Sequence, residues 1–174
     1  MSGWHDFYIL AGTASATLVG LLFVGLSLHL RVVVAISEVR SLARVTLSNF
    51  GAVLFVSLFI VVPQDQGAAA FQLIGAGIVS LIVTVPSLLP SAHAGRRLRM
   101  DFMQRARIVL RFGLSILGYL AIIAGGILLA SSSSVAFTVL MIAVMVLLVI
   151  SLRNTWDLLV TVGDLTMRRE KESG

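Results

Sequence analysis

The chain has 174 residues, 58% of them hydrophobic and 12% charged, with a formal net charge of +5 and no cysteine. A soluble domain carries about 25% charged residues, so this composition excludes an ordinary soluble globule. The absence of cysteine excludes disulfides, thiol nucleophiles, and thiolate metal or iron–sulfur sites.

Five stretches contain no Asp, Glu, Lys or Arg: 7–30, 45–63, 68–90, 112–130 and 135–152. About 20 apolar residues in a helix cross about 30 Å of hydrocarbon, so each stretch predicts a membrane span. The six residues before Phe7 carry no basic side chain, and the first apolar run is too long for a signal core. It reads as a permanent span rather than a cleaved leader.

The first span has the most unusual pattern. Gly12, Ala16 and Gly20 fall every four residues and recess the surface where another backbone can approach. Asp6, Thr13, Thr17, Val24 and Arg31 share a face at about 100° per residue, with Leu28 flanking Val24. Two readings follow. One is packing within a subunit, with the threonines bonding back to their own helix. The other is a pore lining in a ring of subunits. That face would then present an acidic mouth, a hydroxylated upper half, an apolar constriction at Val24 and Leu28, and a basic exit.

Between the first two spans, Val32, Ile36, Val39 and Leu42 recur at helical spacing, which predicts a helical extension over 31–47. In the third span, Pro86 is placed to kink the helix or to loosen its last turns before Pro90. A second extension is expected over 96–111. There Leu98, Phe102, Ala106 and Val109 form one stripe among arginines, Asp101 and Arg105 are spaced for an ion pair, and Gly95 is placed as a hinge. The turns at 64–67 and 131–134 are too short for anything but hairpins. If 112–152 were one helix it would be about 60 Å long at about 1.5 Å per residue, twice the hydrocarbon thickness. The four serines at 131–134 are the expected break. After the last span, 153–167 is amphipathic, with Trp156, Leu159, Val160 and Gly163 on one side and Asp157, Thr161, Asp164 and Arg168 on another. It either continues the fifth span or lies along the interface. Residues 168–174 read as a charged, frayed tail, and 1–167 as a single transmembrane domain.

The thirteen basic residues divide sharply. Arg31, Arg40 and Arg44 follow the first span. Arg96, Arg97, Arg99, Arg105, Arg107 and Arg111 follow the third. Arg153, Arg168, Arg169 and Lys171 follow the fifth. None precedes the first span or follows the second or fourth. The positive-inside rule therefore predicts an all-α bundle of five spans with the N-terminus out and the C-terminus in. Basic residues arranged beside spans point to anionic phospholipid rather than nucleic acid. Arg96, Arg97, Arg99, Arg105 and Arg107 are the candidate head-group ligands. Trp4, Phe7 and Tyr8 at the outer end, and Trp156 at the inner, make an aromatic belt.

Candidate chemistry is sparse. Away from the span ends, where Tyr8 and His29 lie, the spans offer only Ser and Thr with Asn49, Gln72 and Tyr119 as polar groups, whereas ion-coupled carriers keep ionisable groups there. No phosphate loop, nucleophile elbow or zinc spacing is present, and no internal repeat is evident, so neither an enzyme nor an inverted-repeat transporter is expected. His5 lies outside. His29 and His93 fall at the inner ends of two spans, where two histidines can ligate a haem or a metal. With no supporting carboxylate identifiable beside them, the plainer reading is interfacial hydrogen bonding, and no cofactor is expected.

The segment Trp4-His5-Asp6-Phe7-Tyr8 is followed by Ala14-Ser15-Ala16, then Gly20-Leu21-Leu22-Phe23-Val24 and Ser27-Leu28. This opening resembles a widespread group of small bacterial multi-pass membrane proteins with an aromatic start and a Gly/Ala-rich first helix. The resemblance implies a bacterial inner (plasma) membrane location and carries over no activity and no site residues. The expectation is a homo-oligomer, read as a channel or pore lined by the first helix. The alternative is a scaffold or regulatory subunit that binds a protein partner through its basic cytoplasmic helices.

Overall fold

The computed structural model describes the backbone of residues 2–28, 30–97 and 102–173, and the side chains of 3–28, 33–36, 39–86 and 113–163. The described residues form six helices and no strand: α1 (Ser2–Leu28), α2 (Leu30–Ala35), α3 (Ser37–Val61), α4 (Gln66–Arg97), α5 (Phe102–Ala130) and α6 (Val135–Ser173). Five are long and apolar enough to cross a membrane, over Gly3–Leu28, Val39–Val61, Gln66–Pro86, Gly113–Ala130 and Val135–Gly163. The chain is an all-α multi-pass membrane protein.

Helices α3, α4, α5 and α6 close a ring in which each packs on the next and α6 returns to α3. Helix α1 lies outside this ring, against α3 and along one edge of α6. Glycines set the closest approaches. A Cβ at Gly118 would lie 2.6 Å from Leu147 Cδ2, and one at Gly125 would lie 2.6 Å from Leu140 Cδ2. The same seven-residue step on both helices fixes an antiparallel register for α5 and α6. At Gly126 a Cβ would meet backbone, 3.0 Å from the Ala70 carbonyl oxygen of α4.

Both turns at one end are built by local hydrogen bonds. Asp65 Oδ2 accepts from the Gly67 amide at 3.1 Å, which caps the start of α4 and puts a carboxylate at the positive end of its dipole. At 131–134 the chain forms a helix-ending double bond pattern. The Ser133 amide donates to the Leu128 carbonyl at 3.0 Å, the Ser132 amide donates to the Leu129 carbonyl at 2.9 Å, and Ser132 takes φ 55°. This is the Schellman arrangement, here with serine in the left-handed position that glycine usually fills. The four serines are the hairpin expected of them.

The opposite end differs from expectation. The helix anticipated over 31–47 is interrupted: α2 stops at Ala35, Ile36 is extended at φ −110°, ψ 113°, and α3 begins at Ser37. Val33 and Val39, on either side of the break, both bury in a cluster with Leu22, Ala43, Phe50, Leu158 and Val162. The apolar spacing runs across the break because both sides are drawn to one cluster. Of the extension expected over 96–111, Arg96 and Arg97 lie in α4, 102–111 lie in α5, and 98–101 lie outside the described residues. Helix α4 runs through Pro86, Pro90 and Gly95 to Arg97, so Gly95 is no hinge, and α5 begins at Phe102. Asp101, of the pair expected with Arg105, lies outside the described residues. Residues 168–173, expected as a frayed tail, continue α6. At about 1.5 Å per residue, the 32 residues of α4 and 39 of α6 reach about 48 and 58 Å. Both outrun the hydrocarbon core. Arg40, Arg44 and Arg153 are exposed towards this end.

Candidate functional site

Helix α1 divides cleanly into a packed and an open face. Tyr8, Ala11, Ser15 and Leu22 are buried. Ser15 Oγ donates to the Phe50 carbonyl of α3 at 2.7 Å, and Tyr8 OH donates to the Phe137 carbonyl of α6 at 3.3 Å. These residues recur at helical spacing, so the face they define is narrow. On the opposite side Asp6, Thr13, Thr17 and Val24 are all exposed, as is Leu28. The structure thus puts four of the five pore-lining candidates on one open face, and the side chain of Arg31 lies outside the described ones. Thr13 Oγ1 donates to the Ile9 carbonyl at 2.8 Å, and Thr17 Oγ1 donates to the Thr13 carbonyl at 2.9 Å. Each hydroxyl keeps its lone pairs outward.

The small-residue stripe behaves differently from a single packing groove. Gly12 packs: a Cβ there would lie 3.0 Å from Ser57 Cβ of α3. Ala16 and Gly20 are exposed, with nothing near a Cβ at Gly20. The reason is geometric. Steps of four residues advance about 40° beyond a full turn, so the stripe spirals from the packed edge at Gly12 to the open face at Gly20.

Inside the ring the polar side chains converge. Tyr119 OH of α5 donates to Asn49 Oδ1 of α3, and Asn49 Nδ2 donates to Ser115 Oγ at 3.0 Å. Thr84 Oγ1 of α4 lies 3.3 Å from Tyr119 OH, and Ser48 Oγ lies 3.2 Å from it. A phenol has one proton to give, so with Asn49 as its acceptor the two hydroxyls act as donors to it. Ser115 and Tyr119 share a face of α5 at i and i+4. Thr46 is buried as well, its hydroxyl turned back to the Leu42 carbonyl at 2.8 Å. On α6, Ser151 and Asn154 are buried on the face that carries Leu147 and Leu158.

These groups form a layer. On one side lies the apolar cluster of Val53, Val56, Leu73, Ile122, Leu140 and Leu147. On the other lies the cluster around Phe50 and Leu158. The layer carries no Asp, Glu, Lys or Arg: its buried polar side chains among the described residues are Ser, Thr, Asn and Tyr. It can donate and accept hydrogen bonds but holds no acid–base pair. In the sequence Asn49 and Tyr119 stand out only as isolated polar residues. The usable signal for their meeting is faint: Ser115-x-x-x-Tyr119 on one face, and Ser151-x-x-Asn154 on another.

Three atoms of the layer lack partners: Ser151 Oγ, Asn154 Oδ1 and Asn154 Nδ2. Elsewhere Ser57 Oγ and Gln72 Oε1 are likewise buried and unpaired. A dry, unpaired buried group costs about 1–3 kcal/mol, and in hydrocarbon no solvent relieves it.

At the arginine-bearing end, the apolar side expected for the extension of α6 is turned out. Trp156, Leu159 and Val160 are exposed, while Leu158 and Val162 pack inward. The side chains of Arg96, Arg97, Arg99, Arg105 and Arg107, and those of His29 and His93, lie outside the described ones. Among the described residues no three His, Asp or Glu side chains group to hold a metal ion. Comparison with protein-family models, with curated proteins and with solved structures gives no match.

Proposed function

We propose that this protein is a homo-oligomer of the bacterial inner membrane, with the N-terminus outside, the C-terminus in the cytoplasm, and a pathway for ions between subunits lined by α1. The observation that carries the reading is the position of α1. It lies outside the four-helix ring and buries only the narrow face of Tyr8, Ala11, Ser15 and Leu22. Its open face carries Asp6, Thr13, Thr17 and Val24, and beside them the recessed surface at Ala16 and Gly20. Copies arranged with these faces inward give the acidic, hydroxylated and apolar sequence of zones that a selective constriction uses. The arginines at the opposite end hold the assembly against anionic lipid.

A second reading, a scaffold for a cytoplasmic protein partner, is favoured by the reach of α4 and α6 beyond their spans and by the outward Trp156, Leu159 and Val160. One preparation separates the two. The purified protein is counted for subunits and reconstituted in vesicles containing phosphatidylglycerol for ion-flux measurement. A multimer whose conductance changes in Thr17→Val and Val24→Ser supports the pathway. A monomer, or a ring silent at every pH and calcium concentration, sinks it. A stoichiometric partner copurified from native membranes then supports the scaffold.

A further inference from the structure

The polar layer inside the ring contains buried side-chain atoms that no protein group satisfies. Asn154 is 1% exposed and Ser151 0%, yet neither side chain of this pair on α6 has a partner. The α5–α6 register gives the level of Ser151 in the bundle. Gly118 meets Leu147, so Ser115, one turn along α5, stands level with Ser151, one turn along α6 in the opposite sense. Ser115 is already joined to Asn49, and Asn49 to Tyr119. Ser151 therefore stands at the level of the satisfied network, and Asn154 lies about one turn further along α6.

Their chemistry selects the occupant. Asn154 Oδ1 needs a donor, Asn154 Nδ2 needs an acceptor, and Ser151 Oγ takes either. A metal cation serves the oxygen alone and repels the amide hydrogens. An anion does the reverse. Only a small neutral molecule that both donates and accepts fits all three atoms, and the commonest occupant of such buried polar sites is water. We propose that Ser151 and Asn154 bind ordered water inside the bundle, extending the Asn49–Ser115–Tyr119 network from α3 and α5 to α6. Water is thereby held in a layer flanked by apolar clusters on both sides, independently of any pathway along α1.

The chain contains two asparagines, Asn49 and Asn154, so asparagine-selective ¹⁵N labelling gives two side-chain amide signals. In protein reconstituted in lipid nanodiscs, magnetisation transfer from water to each amide is measured. Loss of one signal in Asn154→Ser assigns both, and Asn49→Ser assigns them by elimination should the first variant not fold. The expected result is strong transfer to the Asn154 amide and weaker transfer to Asn49, whose amide nitrogen and oxygen are both bonded to protein. Transfer to Asn154 no greater than to Asn49 would overturn the proposal, as would contacts from Asn154 to an arginine side chain in place of water. A second measurement is independent of labelling. Asn154→Leu displaces water and strands Ser151, so the thermal midpoint falls by about 3 °C or more. A midpoint that rises shows that the site is dry.

Discussion

Tyr119 on α5 gives its phenolic proton to the side-chain oxygen of Asn49 on α3, and the amide of the same asparagine returns to α5 at Ser115. One asparagine is thus bonded at both ends to one turn of a helix across the ring. Packing alone tolerates small slides of one apolar helix along another. This bracket does not, because a shift of one residue breaks both bonds and leaves buried groups unpaired. Removing either member should therefore cost more than a surface change. Tyr119→Phe leaves Asn49 Oδ1 without its donor, and Asn49→Leu leaves Ser115 and Tyr119 to find new partners. We expect each to destabilise by about 1–3 kcal/mol, read from unfolding in mixed detergent and dodecyl sulfate micelles. The double variant should lose clearly less than the sum, since both changes break one network. Additive losses would show that the two residues act separately.

Glycine substitutions should separate close contact from mere helix propensity. Gly126→Ala brings a Cβ to 3.0 Å from the Ala70 carbonyl oxygen and 2.9 Å from Ile74 Cγ1. The carbonyl belongs to α4 backbone and cannot turn aside, so α4 and α5 must separate. Gly75→Ala meets nothing within 4 Å. It should be neutral, or stabilising by up to about 1 kcal/mol, from helix propensity alone. Equal midpoints for the two variants would contradict the tight α4–α5 approach.

The turn at 131–134 carries a residue in a conformation that L-amino acids avoid, Ser132 at φ 55°. Ser132→Gly should raise stability by about 0.5–1 kcal/mol, and Ser132→Val should lower it by about 1–2 kcal/mol. The midpoint order glycine above serine above valine checks it. A valine variant as stable as the parent would mean that the turn is built differently.

Gly20 distinguishes fold from assembly. It is exposed and open to a side chain, so Gly20→Leu should leave the thermal midpoint of the single subunit unchanged. If α1 faces α1 in the assembly, the same variant should reduce the subunit count measured by native mass spectrometry in detergent. An unchanged count would move the subunit interface away from this face.

Much of the architecture is legible in the order of residues. The apolar runs at 7–30 and 45–63 are spans because hydrocarbon offers no hydrogen bonds, which forces the chain into helices of a minimum length. The serine hairpin is legible because an unbroken helix through it would be twice the membrane thickness. Asp6, Thr13, Thr17 and Val24 share a face by helix geometry alone, and the exposed side of α1 holds all four. The spiral of Gly12, Ala16 and Gly20 follows equally from helix geometry, but a stripe of small residues invites the assumption that it packs along its whole length.

Residue order by itself determined the number of spans, the all-α class and the one-sided placement of arginines. These follow from the solvent, which acts on each segment independently of the others. Only the tertiary structure decided which face of each span turns inward. Lipid-facing and helix-facing surfaces are both apolar, so hydrophobicity does not tell them apart in a membrane. It decided that α2 breaks from α3 at Ile36, where one apolar cluster draws in both sides of a turn. It also decided that Asn49, Ser115 and Tyr119 meet, because a hydrogen bond between distant residues depends on the register of two helices, which here is fixed by glycines and a few buried side chains.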